Sequence, residues 1–255
     1  MTGIMQNFMS YGGSITTPTQ IAGLQLWYDA SAATSANFSP VPTNGDLVQA
    51  WVDKLGNGRD ANQSNSNKKP TWVSGQQNNN GAILFDGVND TLTLNPISWS
   101  LSQPGVTMFL VAKASTLSGT PNITATNTNG YRFFWDSNWS IELGGGRAQS
   151  TIAGDTSNYH LFTAVFDGTQ TDADITVQNN KRLKFRYDKV QRGLTFSTNA
   201  NTTTSSSANT VNIGSDSNGT NYYNGYLGEM VIYTQTLNLA QIAAVENFLS
   251  TKWGI

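Results

Sequence analysis

From Leu24 to Gln235 the chain is built of short runs in which apolar and polar residues alternate, separated by clusters of Gly, Asn, Asp and Ser. A period of two places successive side chains on opposite faces of a strand, so the pattern predicts strands rather than helices. Twelve segments carry it: LQLWYDA, VQAWVD, GAILFDG, DTLTL, VTMFLVAKA, YRFFWD, WSIEL, HLFTAVFDG, ADITVQN, KRLKFRYDK, TVNIG and YLGEMVIYTQ. Asn57-Gly58, Asp86-Gly87, Asp167-Gly168 and Asn179-Asn180 supply residues that accept the positive φ of tight turns. GGG at 144–146 follows a strand and opens no helix, so it reads as a turn. One helical period stands out, near the end. Asn238 with Gln241 three residues later forms a capping-box signal, and Ile242, Val245, Leu249 and Trp253 share a face beyond it. The pattern is that of a β-sandwich or jelly roll closed by one short C-terminal α-helix.

The first twenty residues follow neither period. They are polar and glycine-spaced, with Ile4, Met5, Phe8, Met9 and Tyr11 scattered among them. Residues 1–20 are therefore expected to be an arm or linker, and 21–255 a single domain. NANTTTSSSANT at 199–210 is low in complexity and reads as an exposed loop.

Composition narrows the chemistry. The chain of 255 residues has no cysteine and one histidine, which excludes disulfides, thiol catalysis and zinc sites built on Cys or several His. Only 12% of residues are charged, the formal net charge is −2, and Asn, Ser and Thr dominate the polar positions. Such a surface hydrogen-bonds without a strong field, so no nucleic-acid partner is expected. No stretch is long and apolar enough to span a bilayer, and no membrane partner is expected. The first basic residue is Lys54, so the start lacks the charge of a secretory signal; export as part of a particle is the expectation.

Four segments in order resemble a known family. LQLWYDAS (24–31), WVDKLGNGRDANQ (51–63), KPTWV with GAILFDGVNDTL (69–92), and the ending NGYLGEMVIYTQTLNLAQIAAVENFLSTKWGI look like LamG-like jelly-roll domains. These belong to the concanavalin A-like lectin/glucanase superfamily, whose members include modules of tailed-phage virion proteins and of large secreted bacterial proteins. The resemblance covers about residues 22–255. It implies an all-β, two-sheet antiparallel sandwich and, by itself, no activity.

Glycoside hydrolysis would need two carboxylates facing one another across a substrate. The chain has three glutamates, Glu142, Glu229 and Glu246, and none sits in the Glu-x-Asp-x-Glu arrangement of glucanase relatives. Asp172 and Asp174 read as turn carboxylates. His160 alternates with Phe162, Ala164 and Phe166 and is expected to be a packed or edge histidine. No catalytic residue is assigned. Asp86, Asn89 and Asp90 could offer oxygens to calcium from one loop, as could the looser set Asp53, Asn57 and Asp60, although turn formation explains both. No cofactor is otherwise expected.

Sugar recognition needs aromatic faces beside amides. Tyr131, Phe133 and Trp135 share a strand face and are expected in the core. Trp139, Asn221, Tyr222, Tyr223 and Asn224 are the candidates for glycan contact, as residues of loops. Six of the fourteen basic residues lie in KRLKFRYDKVQR (181–192), read as a strand with one basic face. Arg182, Lys184 and Arg186 there, with Phe8 and Tyr11 of the arm, are the candidate partner contacts. The expected role is a non-enzymatic structural and binding module on the surface of a phage virion. Head decoration, a fibre or another appendage would suit it, with other virion proteins, further copies of itself or a host-surface glycan as partners. A soluble glycan-binding lectin module is the second reading and a glycoside hydrolase the third.

Overall fold

The computed structural model describes residues 14–97, 103–126, 131–204 and 209–255. In chain order the strands begin with β1 (Leu24–Asp29), β2 (Ala50–Trp51), β3 (Ala61–Asn62), β4 (Thr71–Gln77), β5 (Asn80–Asp86) and β6 (Leu92–Ile97). They continue with β7 (Gly105–Ala114), β8 (Asn122–Thr126), β9 (Tyr131–Asp136), β10 (Asn138–Leu143), β11 (Gly146–Ser150) and β12 (His160–Asp167). Helix α1 (Ile175–Arg182) precedes β13 (Leu183–Tyr187), β14 (Val190–Arg192), β15 (Leu194–Phe196), β16 (Asn209–Ile213) and β17 (Asn224–Tyr233). Helix α2 (Leu239–Trp253) ends the chain.

Among the described residues all strand ladders are antiparallel and form two sheets. One has eight strands, in the order β14-β13-β12-β7-β17-β5-β4 with β1 also on β17; the other has nine, β15-β11-β10-β9-β8-β16-β6-β3-β2. Between them lies the main core, where Tyr28, Met108, Leu110, Phe162, Phe185 and Met230 meet Trp51, Phe133, Trp139 and Ile213. A second apolar layer covers the outer face of the eight-stranded sheet. Phe109, Val111, Leu161 and Val231 there pack against Ile242, Val245, Leu249 and Trp253 of α2. Strand β7 is thus buried on both sides, which is why VTMFLVAKA reads as a nearly unbroken apolar run.

The sandwich and the C-terminal helix agree with the sequence pattern. Helix α2 starts at an Asn238–Gln241 capping box, with both bonds made, and ends at Gly254 in the left-handed region (φ 67°).

Other expectations need correction. ADITVQN is the start of a helix, because Asp174 accepts bonds from the amides of Thr176 and Val177, while Lys181 and Arg182 fill the last turn. Cap and terminal charges outweigh the strand preference of three β-branched residues. Asn179-Asn180 therefore lies in α1, not in a turn. The left-handed turn between β13 and β14 falls instead at Asp188 and Lys189 (φ 49° and 66°). KRLKFRYDKVQR is consequently a helix end, a strand, a turn and a second strand.

The arm boundary also moves. Ile15 and Ile21 are buried, and the Tyr233 hydroxyl donates to the Pro18 carbonyl at 2.8 Å, so residues 15–21 belong to the domain. Phe8 and Tyr11 lie outside the described residues. The segment 199–204 is not a free loop either. Ala200 and Thr204 are buried, and Asn179 of α1 binds the Asn199 side chain and the Ala200 amide. The rest of that stretch, 205–208, lies outside the described residues.

Candidate functional site

The two outer faces of the sandwich differ. Helix α2 seals the eight-stranded sheet against β7 and β12. On the nine-stranded sheet, alternation in β9 sends Tyr131, Phe133 and Trp135 inward and leaves Arg132, Phe134 and Asp136 on the opposite face. Register continues that outer surface across β10 and β11: Phe134 lies opposite Ser140, Ser140 opposite Gln149, and Glu142 opposite Arg147.

Phe134 is an apolar ring on a polar face, and two guanidinium groups cover it. Arg132 sits 4.1 Å and Arg147 4.9 Å from its centroid. Each arginine is held in place. Arg132 Nε donates to Asn122 Oδ1 at 2.6 Å, with Glu142 at 3.7 Å, and Arg147 Nη2 pairs with Asp136 at 2.7 Å. The planar cations are therefore fixed by carboxylate and amide partners rather than left to wander. Beside them Asp136, Ser140, Arg147, Gln149, Thr195 and Phe196 line an open hollow of about 230 Å³. Its one carboxylate is matched by its one guanidinium. The hollow thus presents a neutral mixture of hydroxyl, amide and paired charge, with part of a phenyl ring.

None of these residues stood out in the sequence. The run YRFFWD drew attention to its inward aromatics. The signal available was the other half of the same alternation, Arg132, Phe134 and Asp136, repeated by Arg147 and Gln149 two strands on.

The glycan candidates named from sequence do not form one site. Trp139 is on β10, not in a loop, and is buried against Trp135 and Phe162 with ring centroids 5.5 and 4.8 Å away. Tyr223 is likewise in the core, beside Phe85. Asn221 is exposed in the left-handed region (φ 49°), and its side chain donates to Asp216 and accepts from Thr120. The Tyr222 hydroxyl donates to the Gly219 carbonyl, and Asn224 opens β17 half-buried. Asn221 and Tyr222 therefore close the 216–222 turn, with their polar groups engaged within the protein.

The basic candidates are also structural. Arg182 is buried, donating to the carbonyls of Gln170 and Ala200 at 2.8 and 2.7 Å. Arg186 forms a two-pronged bond to buried Glu246 of α2, at 2.8 and 2.9 Å. Lys184 lies on β13, on the same face as Arg186, and is half-buried. The expected basic face is thus divided: Arg186 seats the C-terminal helix, and Arg182 ties α1 to residues 170 and 200.

At the calcium candidates, Asp86 Oδ1 accepts from the amides of Val88, Asn89 and Asp90, and Asp90 Oδ2 accepts from the Asp86 amide. Burial, with the charge of Asp86 adding to it, pushes the Asp90 carboxyl up to about 6. Asp53 and Asp60 cap backbone amides in the same way. Asp86, Asp90 and Asp60 are thereby engaged by backbone amides, while Asp53 Oδ2 is buried without a hydrogen-bond partner among the described residues. Among the described residues no group of three or more His, Asp or Glu is placed to hold a metal ion.

His160 is packed as expected, stacked on Tyr187 at 4.5 Å, but it also bridges two carboxylates. Nδ1 lies 2.8 Å from Asp188 and Nε2 3.1 Å from Asp155. Burial pulls its pKa down, yet the hydrogen bonds and charges of Asp188 and Asp155 outweigh burial and hold it above the ordinary histidine value. Asp155 is lowered to about 2 by the Ser157 amide, Asn158 and His160. A raised histidine pKa stabilises the fold fully below about 6.5, and that contribution fades as pH rises through the folded value. The lowered Asp155 contributes above about 4 and is lost as pH falls towards 2. This clamp is accordingly tightest in the mildly acidic range. Because the chain has one histidine, its ring-proton NMR signal titrates alone. A midpoint above 6.5, falling in Asp155→Asn, is expected; a midpoint at or below 6.5 in the wild type contradicts the clamp.

No protein-family model and no curated protein sequence matches the chain. Solved structures do match in fold. Trypanosoma rangeli sialidase, in complex with a difluorinated sialic acid analogue, aligns over 91% of this chain at 15% identity and a TM-score of 0.57. A mutant of that sialidase displaying trans-sialidase activity aligns over 94% at 14% identity and a TM-score of 0.58. A heptameric SAP-like pentraxin from Limulus polyphemus aligns over 65% at 14% identity and a TM-score of 0.46, too loosely to bear on the argument. The chain spans about a third of the length of the sialidase chains. The likeness is one of fold alone, that of a two-sheet antiparallel β-sandwich.

Proposed function

We propose that this chain is a non-enzymatic binding module that recognises carbohydrate on the open face of its nine-stranded sheet. The observation that carries the reading is the contrast between the faces: one is sealed by a helix, while the other holds two fixed arginines over Phe134 beside a neutral hollow. Uncharged sugars are bound by short-reach hydroxyl, amide and paired-charge contacts against a partly apolar wall, and the hollow supplies each. The likeness in fold to a sialidase solved with sialic acid supports a sugar ligand without assigning that enzyme's activity. The carboxylates argue for binding over hydrolysis. Glu229 is buried under α2, Glu246 is buried on the helix itself, and Asp136 is engaged by Arg147. The setting we infer is the outside of a virion, in keeping with the polar, weakly charged surface and the resemblance to LamG-like domains.

The test is a glycan array with the full chain, followed by titration of the best ligand against Gln149→Ala and Thr195→Trp. Thr195 is exposed on an edge strand, so the bulky variant obstructs the hollow without entering the core. Gln149→Ala is expected to weaken binding about tenfold, the loss of one or two net hydrogen bonds, and Thr195→Trp at least as much, by occupying the hollow. No ligand on the array, or measurable release of reducing sugar, would overturn the reading.

A further inference from the structure

Two arginine–carboxylate pairs of this fold are built differently. Under α2, Arg186 donates to both oxygens of Glu246, and the Thr163 hydroxyl donates to one of them as well. In the hollow, Arg147 meets Asp136 through one bond, from Nη2 to Oδ2 at 2.7 Å. Among the described residues Asp136 Oδ1 accepts no hydrogen bond, and Nε and Nη1 of Arg147 donate none. Both residues line the hollow, with 38% of the Arg147 side chain and 40% of the Asp136 side chain exposed. The pair therefore holds its two members in place and leaves an acceptor and donors side by side for a ligand. The other cation of this face is not available in the same way, since Arg132 Nε is taken by Asn122 and Glu142 lies 3.7 Å from its Nη1.

We propose that Asp136 and Arg147 together set the specificity of the carbohydrate site: they take two neighbouring hydroxyls of a neutral sugar, and the Asp136 charge turns away sugars that carry a carboxylate. This rests on the carbohydrate reading above and deepens it. A hydroxyl can donate and accept at once, whereas a carboxylate only accepts and a guanidinium only donates. One sugar hydroxyl donates to Asp136 Oδ1, and its neighbour accepts from Arg147. The stack of Arg147 on Phe134, 4.9 Å to the ring centroid, keeps the plane of the guanidinium fixed while it does so. An acidic sugar meets the opposite situation. Its carboxylate is drawn to the guanidinium, but Asp136 already sits 2.7 Å from that group, so two like charges are pressed together or Asp136 is displaced from its partner. Selection against the acid thus comes from a repulsive contact, and selection for the neutral sugar from the two unused hydrogen-bonding positions.

The test is a glycan array carrying neutral, uronic acid-containing and sialylated oligosaccharides, read with the full chain as wild type and as Asp136→Asn. The substitution is close in shape and lies at a partly exposed position, and an unchanged unfolding midpoint checks that the fold is kept. The wild type is expected to bind neutral glycans only. Asp136→Asn should lose about tenfold on those and gain at least about tenfold on acidic ones, because Arg147 is then without a carboxylate partner. The gained binding should weaken as salt is raised from about 0.05 to 0.5 M, while wild-type binding to neutral glycans holds. Adding Arg147→Met to Asp136→Asn should abolish the gain. A wild type that binds acidic glycans as strongly as neutral ones, or an unchanged profile in Asp136→Asn, overturns the specificity assignment and leaves the carbohydrate reading standing. A wild type that binds no glycan removes that reading, and this assignment falls with it.

Discussion

Replacing Trp253 by alanine is expected to destabilise the fold by about 3–5 kcal/mol, the range for removing a buried tryptophan. The indole is fully buried among Ile242, Val245 and Leu249 and lies nearly parallel to Tyr159, 6.0 Å between centroids. Strand β17 is shaped to receive it. At Gly228 an added Cβ would come within 2.4 Å of the Trp253 ring, so this strand position has no room for a side chain. Truncation leaves a cavity between α2 and the sheet and removes one donor from buried Glu229. For a chain of this size the loss corresponds to a fall in Tm on the order of 10 °C. A change below about 1 kcal/mol in urea unfolding would show that α2 is not an integral layer. Gly228→Ala should act in the same direction, from the other side of the contact.

The second large effect belongs to Arg186. Changing it to serine leaves the Glu246 carboxylate, only 1% exposed, with the Thr163 hydroxyl as its remaining side-chain donor. Breaking one partner of a buried pair typically costs about 3–5 kcal/mol, because the surviving charge is stranded. Lys184→Ser, on the same strand, should cost well under 1 kcal/mol in the manner of partly exposed lysines. Comparable losses for the two variants would show that the basic run acts through general charge rather than through this pair. The double variant Arg186→Met with Glu246→Leu should recover most of the stability, since an apolar pair of similar volume avoids desolvating two charges.

Most of the sandwich was legible in the sequence because it rests on a local signal. Strands such as β7, β9, β12 and β17 alternate or run apolar over six or more residues, and α2 carries its own cap and stop. What the sequence hid depends on distance along the chain. ADITVQN has strand-forming side chains and becomes helical through an Asp174 cap and through contacts of Asn179 and Arg182 with residues near 200. Arg186 looks like a free surface cation until Glu246, sixty residues later, is packed over it. Trp139 follows a turn in sequence, but β9–β10 pairing carries it into the core. The binding face was overlooked for a related reason. Arg132 and Arg147 meet over Phe134 only through the pairing of β9, β10 and β11, and alternation marks outward positions without saying which sheet a helix will cover.

Amide chemical-shift mapping with the strongest array ligand tests the central claim most directly. The binding-face account predicts shifts concentrated at Arg132–Asp136, Ser140, Arg147–Gln149 and Thr195–Ser197, with the amides of α2 and the 216–224 turn unmoved. Shifts centred on that turn or on α2, with β9–β11 silent, would contradict it.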